Sequence, residues 1–530
     1  MPQNSTTAFA RTGGSPELTR RTFLGGLSAL SLAALAGCRS AVGEQAAAGG
    51  AATATRGGTL VATVAADPDP RAYFTGRPGN IFWNRNVLES LLLVDEKYEA
   101  HPVLATAWEF RDGNRTFVLT LRDGVTFHSG RPFTAADVVF ALEREIAGDG
   151  LASLNNAMKG WEVTATGPRE VTIRSPRPLQ EIVFDILDTT PVIDRDTYEG
   201  LDDGSKVIGT GPFVWSGYEA GAQIRMARNN AYWEPGLPYL DGIELTVIRD
   251  STAQLAALRS GRAQLANGLN VQDAMTVVDD RTFHLDTNHG LIYAACFDVT
   301  KPPFDNPEVR RAVGYAIDRD RINSQVFGGI GRITSLPWGE ESTGYPADLA
   351  ATYTYQPDRA RQLLQSAGAA GASFTIALHN QPVPRSIYEI LARNLADVGL
   401  APTPVELAGP DFESRRASGQ LGPAFLIWSA SAGLAPALMI DALAELRTAG
   451  NPTNYVDPGY QQRAQALIDS PDENATAQRL RDLSQYMQDA AFMQPYAVVP
   501  ATTVRADAAR DIVISRNGRS MRSAFLVNGA

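Results

Sequence analysis

A chain of 530 residues, 44% of them apolar, holds material for about three domains, and nothing in its composition marks it as disordered. A net charge of −11 excludes nucleic acid as the main partner, because phosphate backbones are bound through clustered Lys and Arg. Of the two cysteines, Cys38 and Cys296, the second lies in the apolar run Tyr293–Phe297 and reads as a buried, inert thiol.

Residues 1–37 read as an address rather than as fold. Arg20 and Arg21 precede an apolar segment from Phe23 to Gly37 that, at about 15 residues, falls short of the roughly 20 a membrane span needs. It ends in Leu35-Ala36-Gly37-Cys38. The arginine pair followed by Phe-Leu resembles a twin-arginine export signal, and Leu-Ala-Gly-Cys resembles a lipobox, in which Cys38 becomes the lipidated N-terminus. Residues 38–57, the acylated Cys and an Ala/Gly-rich stretch, read as a flexible tether. No later segment reaches the apolar length of a span. The expectation is a body outside the cytoplasmic membrane, in the periplasm or at the cell surface, touching the membrane through the lipid anchor only.

The body begins near Gly58 with a predicted strand, Thr59 to Val64. Val87, Leu88, Leu91 and Leu92 form a stripe that predicts a helix over 84–92. Trp108 and Phe110, the turn Asp112-Gly113-Asn114 and the alternating run 116–121 predict a hairpin. Thr134 with Asp137 three residues on predicts a capped helix buried through Val138, Ala141, Leu142 and Ile146. Asn306-Pro307 predicts another, with Val309, Ala312, Val313, Ala316 and Ile317 on its apolar face. A third starts at Gln356-Pro357, with Leu363 and Leu364 inside it and Gly368 past its end. Then follow a strand over 374–378, a helix over 388–398 closed by Gly399, and a strand over 424–428. No internal repeat is found, and the interleaving of strands and helices gives a multi-lobed α/β protein.

Chemistry is largely absent from this pattern. The five histidines, at 101, 128, 284, 289 and 379, fall in no zinc-ligand spacing, and no nucleophile elbow occurs. Gly209-Thr210-Gly211-Pro212 lacks the Lys-Ser/Thr ending of a phosphate loop and reads as a tight turn. The reading is of a chain that is not an enzyme and holds no metal or cofactor.

Three segments are similar to the peptide- and nickel-type solute-binding proteins called family 5. They are Ala107–Val138, with its Asp123-Gly124-Val125-Thr126-Phe127-His128-Ser129-Gly130 core; Gly209–Phe213 with Asn229–Trp233 and Pro238–Asp241; and Pro303–Arg319. The resemblance implies an α/β, bilobal periplasmic-binding-protein type II fold of the large cluster C type, with a β-rich inserted domain. It places lobe I at 58–93, 195–288 and 498–530, the inserted domain at 94–194, and lobe II at 289–497, with crossings near Leu291 and Val498. It further implies a monomer that takes a peptide or other small ligand between its lobes for an ABC permease and its ATPase. A surface sensor of the same fold is the alternative, and an oligosaccharide the alternative ligand.

By the same similarity, ligand contacts come from Trp83 and Asn84 before the first helix, Tyr293 on a crossing strand, Asn380 and Gln381 after one strand, and Trp428, Ser429 and Ser431 at the end of another. Peptide-binding relatives often carry an Asp shortly after the position of Trp428, and dipeptide binders an Arg near that of Asn380. Here the stretches are Trp428–Pro436 and Leu378–Gln381, and neither charge is present. A desolvated terminus needs a counter-charge, so a short zwitterionic peptide is disfavoured against a longer peptide, a sugar or another polar solute.

Overall fold

Strand Thr59–Val64 forms where predicted and lies inside the larger of the protein's sheets, buried on both sides. In this computed structural model the described residues are 54–70, 78–148, 152–201, 204–277, 280–515 and 518–527. Arg20, Arg21, Cys38 and the tether up to residue 53 lie outside them.

The large sheet has 11 strands. From one edge it runs Ala401–Leu407, Ser373–His379, Ala424–Ser429, Phe283–Phe297, Met493–Ala506, Leu265–Asn267, Thr59–Val64, Gly242–Val247, Gln223–Arg228 and Phe213–Glu219, with Arg332–Ile333 paired to Met493–Ala506 off this path. Two strands are far longer than the rest: Phe283–Phe297 with 15 residues and Met493–Ala506 with 14. They pair antiparallel along their whole length and join the two lobes of an α/β fold. The ladder breaks register twice, between Asn288 and Leu291 and between Tyr293 and Ala294. At the first break the backbones nearly touch: a Cβ on Gly290 would sit 1.6 Å from the Val499 carbonyl oxygen, so no other residue fits.

The β-rich unit is a four-stranded antiparallel sheet in the order Ala105–Arg111, Thr116–Leu121, Glu170–Arg174, Glu162–Gly167. The hairpin turn forms as predicted, with Asp112, Gly113 and Asn114 all at positive φ. Helix Ala135–Ala147 starts at Thr134, whose N–H donates to Asp137 (2.9 Å), and buries Val138, Ala141 and Leu142. The core under this helix is continuous with one face of the second lobe, where helix Pro436–Ala442 packs on helix Ala152–Ala157.

Two predicted helices shift. The first runs Pro78–Val87, and Leu91 and Leu92 are buried beyond it, Leu92 opening a short strand, Leu92–Val94. It stops because the segment 209–211 lies against its end: Gly211 N–H donates to the Val87 carbonyl (3.0 Å), and Cβ atoms on Gly209 and Gly211 would meet backbone carbonyls at 2.2 and 2.6 Å. The helix predicted over 388–398 runs Pro382–Asp397, because prolines in a first turn cost no intrahelical hydrogen bond.

The family-like segments meet in one buried knot. Glu89 accepts from Thr210 Oγ1, Tyr232 Oη and Trp233 Nε1, each at 2.8 Å. Burial pushes the Glu89 carboxyl up, and these three donors oppose it. His128 ties the first segment to the second: its Nε2 lies 3.0 Å from the Gly211 carbonyl, while its backbone N–H donates to that of Gly209. Arg131 binds Asp137 and Asp194 at 2.6 Å each.

Glu89→Ala strands three buried donors at once. It is expected to destabilise the fold by about 2–4 kcal/mol in denaturant unfolding, with Glu89→Gln milder. An unchanged midpoint would show that the knot does not hold the first lobe together.

Candidate functional site

Strands Ser373–His379 and Ala424–Ser429 run parallel, so their carboxyl ends open on the same side. In open α/β sheets that is where ligands bind. Asn380 and Gln381 follow the first strand, and Trp428 stands at the end of the second. Both amides are exposed, and their side chains make no hydrogen bond among the described residues. Trp428 is one of the few large apolar side chains left exposed, at 37%. It lies directly opposite Tyr293 across the antiparallel pair, on the same face of the sheet. Ser429 and Ser431 share a hydrogen bond of 3.0 Å where the chain turns away from the strand.

The structure thus gathers six of the eight predicted residues at one end of the second lobe. Tyr293 forms the floor: it is 9% exposed, packs on Phe327 with centroids 4.7 Å apart, and burial pushes its hydroxyl up to about 12. Of the other two, on the first lobe, Trp83 departs from the expectation. Trp83 is fully buried, donates Nε1 to Asn80 Oδ1 (3.0 Å) and meets Trp215 edge-on at 5.0 Å. It is a core residue of the first lobe and offers a ligand no surface. Asn84, one position on, is half-buried.

Sequence reasoning missed the residues that back the tryptophan. His379 lies 6.0 Å from the Trp428 ring and stacks on Phe412 at 4.0 Å. Its Nε2 is 3.4 Å from Glu413, whose carboxyl is held below the usual range by His379 and by Arg416. His379 directly precedes Asn380, but its partners come from residues 412–413, so no local pattern announces them.

Arg385 is bound by Glu406 at 2.6 Å. Elsewhere Asp95, Glu99 and His101 offer atoms within 4.8 Å of one another, but the Asp95 carboxylate already accepts from the Lys97 and Glu99 N–H groups and meets His101. Cys296 is free and fully buried, and burial raises its thiol well above the ordinary range. Among the described residues no helix is long and apolar enough to cross a membrane.

Two lobes hinged on paired strands, with polar groups at strand ends, define a solute-binding protein. The family described as bacterial extracellular solute-binding proteins, family 5 Middle, matches residues 99–447, and the chain belongs to it. It is 28% identical over 370 residues to heme-binding protein A of Haemophilus influenzae, covering 63% of this chain and 67% of that protein. It is 28% identical over 329 residues to the glutathione-binding protein GsiB of Salmonella paratyphi A, covering 60% of this chain and 63% of GsiB, a little under two thirds of that protein's length. Among solved structures, the periplasmic binding protein DppA of Helicobacter pylori in complex with the peptide STSA superposes with a TM-score of 0.74 at 20% identity, over 89% of this chain and 98% of DppA.

Trp428→Ala is expected to weaken ligand binding several-fold or more, since a truncated aromatic anchor often costs upward of about 2 kcal/mol. Calorimetry on the parent and the variant tests this. Free dipeptides are expected to bind weakly to both, and tight dipeptide binding indifferent to Trp428 would move the site elsewhere.

Proposed function

We propose that this protein is the exported, lipid-anchored receptor of an ABC importer, a monomer and not an enzyme, that closes on a polar solute and hands it to the permease. The observation that carries the reading is the pair of long strands shared by both lobes. A ligand seated against both lobes shifts the balance toward the closed form, and a permease can read that shape. Family membership and the names of the relatives, all binding proteins, support the same role. The proposed lobes are 58–93, 195–288 and 498–530 on one side and 289–497 on the other, with 94–194 inserted in the first. The proposed ligand site is drawn from Trp428, Ser429, Ser431, Tyr293, Asn380 and Gln381, with Asn84 as the proposed contribution of the first lobe. A longer peptide suits these groups: the indole face stacks on apolar surface, and the amides and hydroxyls bond polar groups without a counter-charge. Mass spectrometry of whatever co-purifies with the protein tests the ligand class, and an oligosaccharide is the competing result.

The anchor and the route outward follow from residues 1–38. Cys38→Ala is expected to release the protein from membranes into the soluble fraction, because the acyl chains supply the hydrophobic hold. Fractionation showing it as membrane-bound as the parent removes the lipoprotein reading. Replacing Arg20 and Arg21 together by Lys keeps the charge, yet export is expected to stop if the pair itself is recognised. Unchanged export of that double variant assigns the general secretory route.

A further inference from the structure

Buried guanidinium groups in this protein are normally well bonded. Arg319 donates to the carbonyls of Pro495, Gly314 and Tyr353 and to Gln494 Oε1. Arg416 meets Glu445 with two bonds of 2.8 Å. Arg519 differs. It is 5% exposed, and among the described residues its Nε has no acceptor and its side chain makes a single hydrogen bond, 3.4 Å from Nη2 to the Asp286 carbonyl oxygen. No carboxylate lies within ion-pair distance of it among the described residues. The Asp286 carboxylate is the larger opposing charge it feels, but that group is hydrogen-bonded to Arg505 at 2.9 Å rather than to Arg519. Glu96 is near enough to feel the charge, but burial and the carboxylates of Asp95, Glu341 and Asp286 push it up, which weakens it as a counter-charge. Burial lowers Arg519 itself to about 10, the mark of a cation short of partners.

The position of this group matters as much as its bonding. Arg519 stands on a short strand, Gly518–Ser520, that packs on helix Pro78–Val87 of the first lobe. Among the described residues its one acceptor is on the long strand Phe283–Phe297, just before the register break. Glu96 belongs to the tight turn at residues 95–99, and Glu341 to a loop of the second lobe. That turn reaches the second lobe through Tyr98: its hydroxyl and the Ala432 carbonyl oxygen lie 2.7 and 3.1 Å from where a Cβ on Gly339 would stand. Ala432 follows Ser431 directly. The under-bonded guanidinium therefore lies between the first lobe and the long strand, within electrostatic reach of the turn at 95–99 that touches the second lobe.

We infer that Arg519 is the anchor for a carboxylate on the solute, so that the ligand of this receptor is an acid rather than a neutral sugar. The inference rests on the solute-receptor reading above. A guanidinium presents parallel N–H donors that match the two oxygens of a carboxylate, and a site inside a closing cleft excludes the water that would otherwise compete. The acid partner absent from the Trp428 and Asn380 stretches is then met from the opposite lobe, by a residue close to the C-terminus.

The test uses the full chain as parent, Arg519→Gln and Arg519→Lys. Calorimetry compares two pools of tetra- to hexapeptides that differ only in a free or an amidated C-terminus. In parallel, thermal midpoints are recorded in sodium formate and in sodium chloride at equal ionic strength. The parent is expected to prefer the free-acid pool by about tenfold or more, as loss of a desolvated charge-assisted pair implies. Arg519→Gln is expected to lose the preference, and Arg519→Lys, a charge without the fork, to keep only part of it. Formate is expected to raise the parent midpoint by about 1–2 °C and that of Arg519→Gln not at all. A preference that survives in Arg519→Gln, or an equal formate response in both proteins, overturns the inference. If Arg519→Gln does not fold, Arg519→Lys decides, and a preference undiminished in it overturns the inference. A formate response that needs Arg519, with no solute bound by any route, keeps the anion site and removes the receptor reading. A bound solute indifferent to Arg519 does the reverse.

Discussion

Both lobes hang from one antiparallel strand pair, and that pair closes around a residue with no side chain. At Gly290 the neighbouring backbone comes so near that a methyl group would overlap the Val499 carbonyl. The close approach leaves room for glycine alone at this point of the ladder. The ladder breaks register on either side of the pairs from Leu291–Val499 to Tyr293–Ala497. In the ladder with the strand at 424–429, which has no break, Tyr293 stands opposite Trp428 and Ile292 opposite Ser429, and a slip of one strand by a single residue would turn its side chains to the other face.

The most recognisable stretches of the sequence serve the scaffold. Thr210, Tyr232 and Trp233 converge on Glu89, His128 bridges two segments, and Arg131 gathers Asp137 and Asp194. These groups are buried or half-buried and bonded to one another, as a scaffold requires. A shared scaffold with a freely varying cleft accounts for relatives named after cargoes as unlike as heme and glutathione.

How much of this was legible follows from the range of each interaction. Helices capped by their own neighbours, at Thr134 and Asn306, and the hairpin through Asp112-Gly113-Asn114 were readable because their causes are local. The strand ends carrying Asn380 and Trp428 were readable through resemblance to a family. Trp83 was misread because an aromatic near a helix start looks the same whether it faces a cleft or Trp215. Helix 78–87 was misplaced because its stop comes from glycines more than 120 positions downstream. His379 with residues 412–413, and Arg519 with strand 283–297, were invisible for the same reason: each becomes a group only once distant chain is folded together.

Cys296 sits at the centre of this arrangement, on the long strand, fully buried, with its thiol protonated by burial. It is the only cysteine of the folded body, and Cys38 is the one other in the chain. An alkylating reagent reaches Cys296 only when the paired strands of the second lobe come apart, because a lobe that merely tilts keeps this sheet interior dry. Its labelling rate is therefore a built-in clock for opening of the sheet, separate from the rocking of the lobes, and it reads that event at a single atom.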